Sequence, residues 1–485
     1  MKSSTWWAPL LILCAFAAAK AGAVPPTPSA TDAAFLTRVT YGVRPGDLVT
    51  LARLGRSGWI EAQLAPAPSP GLSPLLAAYP TLTLRPSQLK ALYPYMPAGN
   101  ADGDKDARRT ARKEMKATQR TPLYERAAAR VTRAVYSDAQ FDEMVAAFWL
   151  DHFNVYPRKT PAMAWLIGDF EDRSVRPHLY GSFRALLGAV AHAPAMLVYL
   201  DNEKSAVADG EGKHPGINEN YARELLELHT LGVDGGYTQA DVQDVARIFT
   251  GWGVVMEDKD GAEAGSFRFR TRWHDFGHKQ VLGTRFAPEG ETEGEQLLDL
   301  LATHPATVRR LSAKLCRAFV GTPTPEMVDR VSARWSATGG DLQEVYRALL
   351  VDPDLLAGAP ARSPLQWLSA ALRGAGVRDF PAAEAAHLLE DMGQSVLGAL
   401  PPTGYDDIDW LTADALIRRM TTGRTLADQL RPALMEAGVA TPAALVGRFL
   451  PTHTGDAALL IRLGSDPDVG ALTGRILGTP EFQRR

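Results

Sequence analysis

The chain has 485 residues, with 52 Lys and Arg against 55 Asp and Glu, a formal net charge of −3. That balance gives no reason to expect nucleic acid or anionic lipid as a partner. Of its two cysteines, Cys14 lies in an apolar leader and only Cys316 would remain in the mature chain. An internal disulfide is then excluded, and stability has to come from packing, for which the chain is long enough.

Lys2, an apolar run from Trp6 to Ala19 and the small-x-small sequence Ala21-Gly22-Ala23 have the layout of a cleavable secretory signal over residues 1–23. The expectation is an exported protein, periplasmic or extracellular. The apolar run is too short to span a bilayer, and nothing later resembles a stop-transfer segment, so no stable membrane insertion is expected. Loss of the leader removes Lys2 and Lys20 and no acid, leaving a net charge of −5.

Helical periodicity dominates the mature chain. Residues 24–96 read as an N-terminal helical segment of short helices, broken at Gly42, Gly55 and Gly58. Residues 97–122 are polar and strongly charged, a connection or a solvated helix with no face to bury. A central helical core is expected over 123–360 and a C-terminal helical segment packed on it over 361–485, interrupted by a loop at Gly398–Asp407. The fold class is therefore mainly α. The one β excursion is a two- or three-stranded ribbon around 251–286, where Trp252, Phe267, Phe269 and Val281 sit in alternating or β-branched stretches.

The strongest chemical signal is Asn218 to Gly232, with Asn218 as N-cap and Gly232 as stop. At 100° per residue, Asn220, Arg223, Glu224 and Glu227 share one stripe of this helix, and leucines take most of the rest. His229 falls about 160° from Glu227 on the same geometry, away from the glutamates. The next helix opens with a capping box, Thr238 and Asp241. His152 closes a helix whose apolar face is Phe141, Val145 and Phe148, which puts it in the core or at the lip of a pocket. His274-Asp275 precedes the last candidate strand, either as a ligand with its orienting carboxylate or as a turn. His304-Pro305 opens a helix with the buried stripe Val308, Leu311, Leu315 and Phe319, beside which Cys316 reads as a packing residue.

These motifs together resemble the large bacterial family of domain of unknown function 1800. The resemblance rests on Phe148-Trp149-x-x-His152-Phe153, on Asn218 to Val233, on Gly236-Tyr237-Thr238-Gln239-x-Asp241, on Thr250-Gly251-Trp252 and on His274-Asp275. His304-Pro305-Ala306-Thr307, Lys314-Leu315-Cys316 and Pro401-Pro402-x-Gly404-Tyr405 extend it over nearly the whole mature chain. The stretch Asp407–Trp410 and the Gly277-His278 pair depart from it. The resemblance implies little about activity. It implies export and, as a partner, an exported sulfatase-like companion.

Several reaction classes are set aside. Gly393 to Gly398 has one residue too many for a nucleophile elbow. There is no phosphate-binding glycine loop, no dinucleotide fingerprint and no HExxH. Two functional readings stand. In the first, an envelope enzyme acts on a glycan or other polymer through Glu224, Glu227 and His152, in a pocket between their two helices and the ribbon. Asn220, Arg223, Trp252 and Asp275 would bind substrate, with Trp149, Trp252 and Trp273 as sugar-stacking candidates. One divalent metal would sit on His152, Glu224 and His274 as hypothetical ligands. In the second, the protein is a non-catalytic assembly or binding partner, and Glu224 and Glu227 form a structural ion-pair network with Arg223 and Arg247.

Overall fold

A computed structural model describes residues 29–94, 105–207, 216–258, 261–406 and 408–485. Residues 1–23, expected to be a leader, and the loop position 407 lie outside them. Among the described residues no helix is long and apolar enough to cross a membrane.

The chain starts with Ala30–Val39, opened by a reciprocal Ser29/Asp32 capping box. The next helix, Asp47–Leu64, bends at Gly55, whose φ of 68° leaves the helical region, while Gly58 stays inside. Between them Gly42 has a φ of 136°, and a Cβ there would come within 2.5 Å of the Ala370 backbone. That approach, rather than a helix break alone, is what the glycine permits.

Residues 105–136 form a single helix, Lys105–Tyr136, which runs through Pro122. It is exposed over Lys113–Thr118 apart from Met115 and increasingly buried beyond Pro122, so the charged segment continues without a break into the core. The helix serves two hydrophobic cores. Ala134 belongs to a large one with Phe141, Val145, Trp149, Phe183, Leu311 and Tyr346, and Val131 and Val135 to a second with Trp367, Leu426, Leu430, Leu472 and Phe482.

The two cores are stitched by buried arginines. Arg373 donates to the carbonyls of Gly42 (2.6 Å) and Val135 (2.7 Å), and pairs with Asp47 at 3.1 Å. Arg485 donates to the Arg38 carbonyl at 2.6 Å. A second device is a short π-helical segment, Phe170–Val175, which carries Glu171 into the interior. There it meets Arg130 at 2.8 Å and Arg176 at 3.0 Å. Those guanidiniums overcome burial and hold its carboxyl well below the usual range.

The β excursion is two small antiparallel hairpins. Trp252–Val254 pairs with Phe267–Phe269, and Lys279–Val281 with Thr284–Phe286. The fold is therefore mainly α with small β ribbons. Pro305–Val320 buries the stripe read from its sequence, with the His304 ring capping the backbone N–H of Ala306. Cys316 is enclosed in the same core, and burial pushes its thiol up to about 12.

Candidate functional site

The helix after Asn218 begins as its cap requires, with the Asn218 side chain accepting from the Asn220 N–H. It does not stay α-helical. Glu219–Glu224 passes into a π-helical segment, Leu225–His229, a feature often found near functional sites. Asn220 is exposed, while Glu224 and Glu227 are only half-buried. Arg223 links the stripe together, reaching Glu227 at 3.4 Å and Glu219 at 3.6 Å, and it bonds Gln239 of the next helix at 3.0 Å. Burial, then the neighbouring Glu227, raises the Glu224 carboxyl above its ordinary value. Arg247 is not part of this network. It holds Asp244 at 2.7 Å and Asp275 at 2.8 Å instead.

His274 and Asp275 point to different partners. The His274 ring is fully enclosed, with Nδ1 facing the Thr250 carbonyl (2.9 Å) and Nε2 facing Glu293 (3.0 Å). Glu293 also takes Lys279 at 2.5 Å and the N–H groups of Glu289 and Gly290, both at 3.0 Å. Every group in that trio is buried and satisfied, an arrangement that locks the second hairpin onto the following helix. Asp275 accepts from Gly277 N at 2.7 Å, the turn alternative, and its Arg247 bond holds its carboxyl low.

Two of the three aromatic platforms are core. Trp149 and Trp252 have no exposed surface and cannot stack on a sugar; Trp149 Nε1 donates to Tyr346 at 2.6 Å. Trp273 is half-exposed under the Arg270 guanidinium, 4.3 Å away. Thus His152, Glu224 and His274 each face a separate set of neighbours. Among the described residues no group of three or more His, Cys, Asp or Glu side chains could hold a metal ion.

The structure assembles a different group around His152. The π-helical segment turns His229 inward, so that the two imidazoles lie 6.2 Å apart while the glutamates stay outside. His152 Nε2 donates to the His229 carbonyl at 3.2 Å, and its Nδ1 accepts from Lys314 Nζ at 2.9 Å. Both ring nitrogens are therefore engaged, which fixes the tautomer. Burial and the cations Lys314 and Arg310 keep this ring neutral, and they depress His229 to about 3. Lys314 also forms a close ion pair with Asp406, delivered by the late loop. Burial lowers its ammonium, and Asp406 partly restores it.

Next to His152, Asp151 lines a cavity of about 80 Å³ that His152 does not reach. Arg130, Glu143 and Arg176 form one wall, Asp151 and Asn154 the helix-end wall, and Gln394 to Ala399 with Tyr405 the cover. Burial and the nearby Asp406 raise the Asp151 carboxyl to about 7, against the pull of Lys314. The cover is tied down. Asn154 donates to the carbonyls of Ala399 (3.0 Å) and Pro401 (2.7 Å), and the Tyr405 hydroxyl to Ser395 O at 2.8 Å. Gly404 has a φ of 68°, and a Cβ on it would come within 2.6 Å of the Asp151 carbonyl. The cavity thus lies between the His152 helix and the late loop, not between that helix and the ribbon.

The sequence assigns no chemical role to Asp151 or Asp406, and Lys314 enters only through the Lys314-Leu315-Cys316 motif. Asp151 is adjacent to His152, and Lys314 is an ionisable residue one turn from a buried stripe. Neither position alone tells which way the side chain faces.

A multi-helical body with a covered polar cavity, entered by a carboxyl of raised pKa and flanked by a Lys–Asp pair, is the class that fold and site define. The family model described as "Protein of unknown function (DUF1800)" matches residues 34–484, and the chain belongs to that family. No curated protein and no solved structure matches it.

Proposed function

We propose that the protein is an exported enzyme of the cell envelope that works by carboxylate acid–base chemistry, with Asp151 as the group that moves the proton. The observation that carries this reading is the position of Asp151 in the wall of the covered cavity, beside an Asp406–Lys314–His152 chain. A carboxyl near 7 can give a proton at neutral pH and take one back, and a neighbouring carboxylate is what separates the two roles. Protonated Asp151 donates to a leaving-group oxygen. Once ionised, it takes a proton from an attacking water. Lys314 holds Asp406 in place, and the tautomer-locked His152 holds Lys314, so both are positioning residues. Asn154, Gln394 and Tyr405 also line the cavity, and their hydrogen bonds to Ala399, Pro401, Leu365 and Ser395 hold its cover in place. Hydrolysis of an envelope polymer is the reaction class carried over from the sequence, and export follows from the reading of residues 1–23 as a leader.

The test needs no known substrate. Envelope extract is incubated with the wild type and with Asp151→Asn, and the soluble products are compared by mass spectrometry. Products released by the wild type and absent with Asp151→Asn are expected. Identical product profiles would overturn the reading.

A second reading, a binding protein for the exported sulfatase-like companion, is favoured by one observation. Ile417 and Met420, one turn apart on Ala413–Glu436, are 64% and 53% exposed.

A further inference from the structure

The polar cavity shares its cover with a much larger groove. Val396 and Leu397 line both, so the groove lies one loop's thickness from Asp151. Its volume is about 790 Å³, within the range of small-ligand sites. One wall is a helical stripe of Lys105–Tyr136 that includes Ala127 and Ala128, and the other holds Ala382, Ala383 and Ala386 of the helix Ala382–Asp391. Between the facing alanines the groove offers no hydrogen bonds, and methylenes gain from burial there; Tyr79, Tyr124 and Ser395 line it elsewhere.

The charged groups of the groove are unevenly engaged. The Glu125 carboxylate is occupied by the N–H and hydroxyl of Thr81, at 2.8 and 2.6 Å. Glu390 accepts from Ser395 at 3.3 Å and has His387 beside it at 3.9 Å. Arg120 and Arg158 line both this groove and the adjoining cleft next to Trp165, and neither has an ion-pair partner among the described residues. Two uncommitted guanidiniums at the junction, beside an apolar slot, complement a molecule with an anionic head and an unbranched apolar body.

We infer that this groove binds a carboxylate-bearing amphiphile of the fatty-acid type, its chain in the alanine slot and its carboxylate at Arg120 and Arg158. Binding stands on the groove alone. It does not rest on the acid–base reading of Asp151.

Calorimetric titration with decanoate, below its micelle concentration, tests the inference on the mature full-length protein. The controls are hexanoate, decanol and decylammonium. The expected result is one site for decanoate, with affinity falling roughly fourfold for each methylene removed. Arg120→Ala with Arg158→Ala should weaken decanoate at least tenfold, and Ala383→Trp should block it with the circular dichroism spectrum unchanged. Should Ala383→Trp fail to fold, the arginine pair decides. Equal binding of decanol or decylammonium, or no effect of the arginine pair, would overturn the inference. Asp151→Asn separates the two claims. If it abolishes product release while decanoate fails to bind the wild type, the groove assignment alone falls. If decanoate binds but Asp151→Asn still releases product, the acid–base reading alone falls.

Discussion

At the scale of single residues, the most informative group is Asp151, because its environment makes opposite demands on folding and on chemistry. Its carboxyl rises to about 7 when the chain folds, so folding favours the protonated form. The stabilisation from that form is complete below the ordinary carboxylate range and is lost as pH climbs towards 7. His229 runs the other way. Held at about 3, it contributes stability above the ordinary imidazole value that is lost as pH falls. The two are separated by comparing the wild type with Asp151→Asn in urea across pH 4 to 8. The variant should gain about 3–4 kcal/mol on the wild type over that span, and a pH-independent difference would contradict a buried, destabilised carboxylate. Gly404→Ala is a purely steric counterpart. Its methyl would collide with the Asp151 backbone at a φ of 68°, and a cost of about 1–3 kcal/mol is expected. Faster hydrogen exchange confined to residues around 395–405 would locate that cost in the cover.

At the scale of elements, capping and periodicity were legible and the direction of ionisable side chains was not. Asn218, Thr238 with Asp241, and His304 with Pro305 cap the helices that their sequences announce. The stripe Val308, Leu311, Leu315 and Phe319 is buried as its spacing requires. The helix after Asn218 shows where local rules stop. The opposition of His229 to Glu227 expected at 100° per residue holds, with His229 inside and the glutamates outside, but neither the π-helical segment from Leu225 nor the approach of His229 to His152 could be read from it. Nothing local demands that segment; it is a consequence of packing against distant residues. The partners of His274 were hidden for a similar reason, since Asp275 is its neighbour in sequence but Glu293, on the following helix, is its neighbour in space. Glu293→Gln should cost about 3–5 kcal/mol in thermal or urea unfolding, because it leaves the Lys279 ammonium buried without a counter-charge. A neutral outcome would mean that water reaches this trio.

At the scale of the whole molecule, the candidate site exists only because the two cores are joined. Asp151 comes from the end of Gln140–His152, Lys314 from Pro305–Val320 and Asp406 from the loop preceding Ala413–Glu436. No spacing in sequence predicts their meeting, which is why the glutamate stripe stood out and this group did not. Arg373, bonded to both Gly42 and Val135 across the joint, is the natural point to weaken it. Arg373→Met should leave the Gly42 and Val135 carbonyls unpaired, with Asp47 still held by Arg44, and cost about 2–3 kcal/mol. Unfolding followed by tryptophan fluorescence is expected to split into two transitions, with Trp367 reporting the second core. The most direct measurement for the acid–base centre is the infrared carboxyl band of Asp151, taken as the difference between wild type and Asp151→Asn from pH 4 to 9. The expected result is a protonated carboxyl that persists to about 7 and to still higher pH in Lys314→Met, where the stabilising cation is gone. A carboxyl already ionised at pH 5, and unmoved by Lys314→Met, would contradict the account.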